Sequence, residues 1–148
     1  MIASRFACGV IRNRLPTRMI EINMLDYARQ HAIEALEAPR TAVLVTTGPA
    51  GVQAGEFPCE AISLVLYLLV PQTSDHLFNL EHDASITVLT AKCELKGQAQ
   101  VISHGTPDLD VALCREPGAE WCVLVRVEPS QVQIRSEQGW GNLETIDL

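Results

Sequence analysis

The sequence predicts a mainly β fold of the α+β kind, closed as a barrel rather than laid out as an alternating α/β sheet. Three observations lead there. Ile62 to Val70 is a nearly continuous apolar run rich in Leu and Val and bounded by Pro71, which reads as a buried strand and is too short to span a membrane. From Trp121 to Glu128 the chain alternates, with Trp121, Val123, Val125 and Val127 on one face and Cys122, Leu124, Arg126 and Glu128 on the other. Strands outnumber helices along the chain, which favours a barrel. There is no internal repeat or low-complexity linker, so residues 24–148 read as one domain behind a basic extension, residues 1–23.

Taken in order, residues 1 to 20 hold Arg5, Arg12, Arg14 and Arg18 and no carboxylate, a charge of +4 that leaves −11 for the remainder. Lacking the long apolar centre of a secretory signal, this segment reads as a loosely packed tail; a targeting sequence, or an extension upstream of a start at Met19 or Met24, is the alternative. A helix is expected from Met24 to Glu37, where Ile22, Leu25, Ala28, Ala32 and Leu36 recur at helical spacing, Asn23 caps with Asp26 three residues on, and Pro39 ends the run. His31 falls on its solvent side. Thr41 to Thr47 is a strand, Gly48-Pro49-Ala50-Gly51 a hairpin turn, and Val52 to Ala61 the return strand, in which Pro58 marks an edge or a bulge.

After the 62–70 strand, Thr73 and Ser74 stand just before a helical segment, Asp75 to Leu80, and the chain re-enters a strand that runs to Leu89. Either hydroxyl serves as N-cap, and the free amides of a helix start attract phosphate; a cap on a surface helix, with Asp75 satisfying the helix dipole, accounts for the same residues. Glu94 to Ser103 is a further strand in which Gly97 marks a bend or the close approach of another backbone. Thr106-Pro107-Asp108 starts a short helix, Leu109 to Cys114. The alternating strand follows, kinked at Pro129 and resumed by Val132 and Ile134, with Trp121 in the core. Gly139-Trp140-Gly141 sets an indole either over a ligand or subunit seam or against the barrel end.

Four pieces, in this order and spacing, are similar to the pyridoxamine 5′-phosphate oxidase-like family of FMN-binding split β-barrels: RTAVLVTTGPAGV at Arg40 to Val52, LYLLVPQTSDHLFNLEHDASITVL at Leu66 to Leu89, ELKGQAQVI at Glu94 to Ile102, and VLVRVEPSQVQI at Val123 to Ile134. The resemblance implies a six-stranded antiparallel split barrel with an N-terminal helix and short peripheral helices, usually a homodimer with flavin mononucleotide between subunits. In flavin-binding members the turn after the third strand carries Ser or Thr followed by a Lys or Arg that pairs the phosphate. The matching run here is Thr73, Ser74, Asp75, His76, so a histidine that is mostly neutral at pH 7 stands where the cation belongs, beside an added carboxylate. Arg40, just before the strand set against the flavin, is the candidate to compensate. Ala91, Lys92, Cys93 and Glu94 depart from the oxidase's own pattern, which argues against that specific activity.

Composition agrees with one small soluble domain: 148 residues, 47% apolar and 20% charged. A net charge of −7 argues against nucleic acid or an anionic membrane as partner. Cys8, Cys59, Cys93, Cys114 and Cys122 show no paired spacing, which fits free thiols in a reducing, cytoplasmic compartment rather than zinc or a disulfide framework. His76 and His82, six apart, do not share a helix face as metal ligands would. No phosphate loop, dinucleotide motif or nucleophile elbow is present.

Two functional readings follow. One is an FMN-dependent oxidoreductase of unknown substrate, with the phosphate at Thr73, Ser74 and His76 and the ring along Val45, Thr46 and Thr47, whose backbone amides would stabilise charge on the reduced flavin. No side chain presents itself as a general acid or base. The other is a split-barrel ligand-binding or dimeric interaction protein that has lost tight flavin binding.

Overall fold

The computed structural model describes residues 17–102, 111–135 and 143–148. The chain divides between His31 and Ala32 into two compact units. In the first lies the N-terminal part of helix α1 (Thr17–Glu37), where Tyr27 and His31 bring their rings to 6.0 Å, one helical turn apart. This helix begins earlier than the Asn23 cap predicted, so the expected boundary at residue 23 falls inside it. Leu25, on the expected apolar face, is exposed, whereas Ala32, Ala35 and Leu36 are buried in the second unit.

The second unit, Ala32–Leu148, holds a closed six-stranded antiparallel barrel. Its strands are β1 (Thr41–Thr46), β2 (Gln53–Ile62), β3 (Val65–Pro71), β4 (Ser85–Leu89), β5 (Cys93–Ile102) and β6 (Cys122–Arg135). They run in the order β3-β2-β1-β4-β5-β6, and a β3–β6 pairing closes the ring. Helix α2 (Asp75–His82) connects β3 to β4. A seventh strand, β7 (Leu143–Asp147), pairs with β6 from Gln131 to Arg135, beyond the stretch that β3 covers. No pattern in residues 143–147 predicts it from the sequence.

Inward residues at every second position build the core: Leu44, Leu66, Leu68, Val70, Val88, Leu95, Val125, Val127 and Val132 are fully buried. The β3 run is apolar on both faces for a reason. Tyr67 and Leu69 point outward, with Leu124 of β6, and Val111 and Leu113 cover them. A single apolar layer would have left alternate positions polar.

Five local findings correct or complete the sequence reading. The apolar run from Ile62 is not one strand: Ser63 (φ 58°) and Leu64 form a two-residue turn, Ile62 pairs with Val65, and the strand proper starts there. Pro58 stands where β2 changes partner, since residues 53–58 pair with β1 and residues 59–62 with β3. Gly97 sits at a register shift, where an added Cβ would lie 2.2 Å from the Glu128 carbonyl oxygen, so the backbones of β5 and β6 meet there and only glycine fits. The expected helix over Leu109 to Cys114 is a 3₁₀ turn at Ala112–Arg115, and its Thr106-Pro107-Asp108 start lies outside the described residues. Trp121 is not core: it ends a second 3₁₀ turn, Ala119–Trp121, with 71% of its surface exposed.

Candidate functional site

The corner between β3 and α2 forms as the sequence predicts. Pro71 closes the strand, Ser74 takes the N-cap position with extended backbone, and α2 begins at Asp75. Ser74 is the residue that caps: its hydroxyl accepts from the His76 amide at 3.2 Å, and its carbonyl from the Leu77 amide at 3.2 Å. Of the first three helical amides, the one left for a ligand is that of Asp75, whose own carboxylate stands beside it. Thr73 is exposed.

His76 turns the other way, into the barrel end. Only 5% of its surface is exposed. Its Nδ1 lies 2.8 Å from the hydroxyl of Thr46, and its ring meets Phe57 edge-on at 5.3 Å between centroids. Burial lowers its pKa from the ordinary histidine value, and the nearby Asp75 offsets this only in part. One turn on, Asn79 is fully buried. Its Nδ2 donates to the Gly51 carbonyl at 2.9 Å and to the Thr46 hydroxyl at 3.2 Å, and its Oδ1 accepts from the Ala50 amide at 3.0 Å. His76 and Asn79 thus fasten α2 to the end of β1 and to the β1–β2 turn. The glycines of that hairpin make room: a Cβ on Gly48 would meet Asn79 Oδ1 at 2.8 Å, and one on Gly55 would meet His76 Nε2 at 3.2 Å.

Of the remaining expected residues, Thr46 meets this corner from the interior, through His76 and Asn79, and Arg40 does not. Thr46 has no exposed surface and faces the interior, Val45 is half-buried and Thr47 exposed. Arg40 precedes the opposite end of β1. At about 3.3 Å of rise per residue, six residues place it roughly 20 Å from Thr46. It lines a separate open cleft of about 760 Å³ beneath the end of α1. The charged groups there are Arg40, Glu37, Glu60 and Glu116, a balance of one cation to three carboxylates, and Glu60 Oε2 already accepts from the Ala112 amide at 2.9 Å. Trp140 lies outside the described residues.

A flavin phosphate needs a cradle of donors; of the expected set, Thr73 and Ser74 keep hydroxyl protons to give, while His76 is turned away from them. Ser74 Oγ accepts at the cap and keeps its own proton to donate, His76 is turned to Thr46 through Nδ1, and Thr46 itself is sealed inside. Asn79 is the residue that sequence reasoning passed over; the small residues Gly48, Ala50 and Gly51, clustered opposite a polar residue in α2, are the trace it leaves. Among the described residues no group of His, Cys, Asp or Glu is arranged to hold a metal. Two buried thiols are held protonated by their environment: burial, with Cys93 nearby, pushes Cys59 up to about 11, and burial also raises Cys93. No described helix is long and apolar enough to cross a membrane.

No protein-family model and no curated protein matches the sequence. Solved structures do match in fold. A protein related to general stress protein 26, of the pyridoxinephosphate oxidase family, from Clostridium acetobutylicum aligns with TM-score 0.62 at 11% identity, over 84% of this chain and 96% of its own. A heme-binding protein from Mycobacterium smegmatis gives TM-score 0.57 at 17% identity, over 83% of this chain and 57% of its own. An FAD-binding protein from Mesorhizobium loti gives TM-score 0.52 at 12% identity, over 70% and 90%. The chain has the split-barrel fold of the pyridoxamine 5′-phosphate oxidase-like proteins.

Proposed function

We propose that this protein is a split-barrel ligand-binding protein that does not hold flavin mononucleotide tightly. The observation that carries the reading is the 2.8 Å contact between His76 Nδ1 and Thr46, which takes the one candidate cation of the phosphate corner into the barrel wall. Backbone amides and hydroxyls at a helix start bind phosphate without a cation, but charge-assisted pairs are the stronger ones, and here the His76 and Leu77 amides are taken up by Ser74. Arg40 does not compensate, because its cleft carries three carboxylates. That neighbours of this fold bind FAD and heme supports a planar cofactor as the class of ligand to try first, and a homodimer would supply a second wall to such a groove.

The fold itself favours the second reading, an FMN-dependent oxidoreductase, in which the exposed Thr73 hydroxyl and the Asp75 amide would be the phosphate donors. Calorimetric titration with FMN and with riboflavin separates the two. The ligand-binding reading expects FMN to bind no more tightly than riboflavin, since His76 is held by Thr46 and does not pair the phosphate. A large preference for FMN would contradict it.

A further inference from the structure

The hydrogen bonds around Asn79 fix more than the position of a helix. Two of its partners are backbone groups whose roles are not negotiable: the Ala50 amide can only donate and the Gly51 carbonyl can only accept. The amide of Asn79 is thereby oriented, and its Nδ2 must donate to Thr46 Oγ1. Thr46 has a single hydroxyl proton and no exposed surface, and the acceptor within reach is His76 Nδ1 at 2.8 Å. The relay runs one way, Asn79 to Thr46 to His76, so Nδ1 accepts and the ring proton sits on Nε2, facing Gly55 of β2.

From this geometry we infer that the contact between α2 and the β1–β2 hairpin is an acid-sensitive latch, closed while His76 is neutral and released when its Nδ1 is protonated. The new proton on Nδ1 points at Thr46 Oγ1, and the Thr46 proton must swing into a buried wall. A buried polar hydrogen without an acceptor is costly, and the cheaper course is to part α2 from the hairpin. Few other charges bear on the ring. On its own helix Asp75 is adjacent and exposed, while Glu81, His82 and Asp83 lie at the far end. β1 brings no titratable residue, nor does the turn 47–52; the Glu56 side chain, between Gly55 and Phe57, points to the opposite face of β2. β5, joined to the end of this connection through the Ala99 amide and Ala84 carbonyl, has none between Gly97 and Ile102.

The direction follows from linkage. A histidine held neutral has its folded-state pKa below the unlatched value of 6.5, so the latched form is fully favoured above that value and loses ground as pH falls toward the lowered one. NMR tests both halves on the intact protein. Long-range ¹H–¹⁵N spectra at about pH 7.5 should show the His76 Nε2–H tautomer. The protection factor of the Ala50 amide, whose acceptor is Asn79 Oδ1, should fall as pH drops below 6.5, at most about tenfold per pH unit, while that of Val88 in the barrel wall does not. In His76→Gln the Ala50 protection should be flat with pH. An Nδ1–H tautomer, an imidazolium at about pH 7.5, or Ala50 protection that follows Val88 down to about pH 5 would overturn the latch.

Discussion

His76 is held in the barrel wall through its Nδ1, where burial keeps the ring neutral. Its partner Thr46 lies thirty residues upstream, and the helix start at Ser74 looks the same whether the following ring turns out to solvent or in to the barrel. Local pattern supplied the cap; only the fold shows where the imidazole points. Truncating Asn79 to Ala removes the partner of the Ala50 amide and of the Gly51 carbonyl and one of the two partners of the Thr46 hydroxyl, and should cost about 2–4 kcal/mol in urea unfolding. Wild-type stability should also decline as pH falls from 6.5 through the lowered pKa of His76, because the unfolded chain then binds the proton that the folded one refuses; in His76→Gln that part of the pH dependence should be absent.

At the scale of elements, the strands with a strong period or a firm stop were legible. The β1–β2 hairpin, β5 and β6 lie within a residue or two of their sequence limits, β4 ends at Leu89 as expected, and Gly97, which the sequence marks as a bend or a close approach, is a close approach. Gly97→Ala should cost about 3 kcal/mol or more, as a Cβ there runs into the β6 backbone rather than into a movable side chain. What the sequence concealed were features without a composition signal of their own. The Ser63-Leu64 turn sits within apolar residues and needs neither Gly nor Pro, and β7 is five residues of mixed character that need β6 to exist as a strand. Trp121 was misplaced because the alternation continues through it, although the strand starts one residue later. Trp121→Ala should therefore shift stability by no more than about 0.5 kcal/mol, and the native fluorescence that it contributes should be that of a solvated indole.

For the molecule as a whole, fold and occupancy separate. A barrel of this kind is specified by inward apolar residues spread over six strands, which tolerates wide divergence in sequence; a phosphate site depends on a few side chains, and here the one that should carry charge has become part of the wall. The fold likeness at 11–17% identity is what that distribution of constraint produces. The central proposal is that this barrel retains the corner but, with His76 held by Thr46, pairs no cation with a flavin phosphate. The most direct test is the visible absorbance of the purified protein after incubation with excess FMN and desalting. The account predicts that no flavin band remains with the protein; an equimolar flavin band that survives desalting would contradict it.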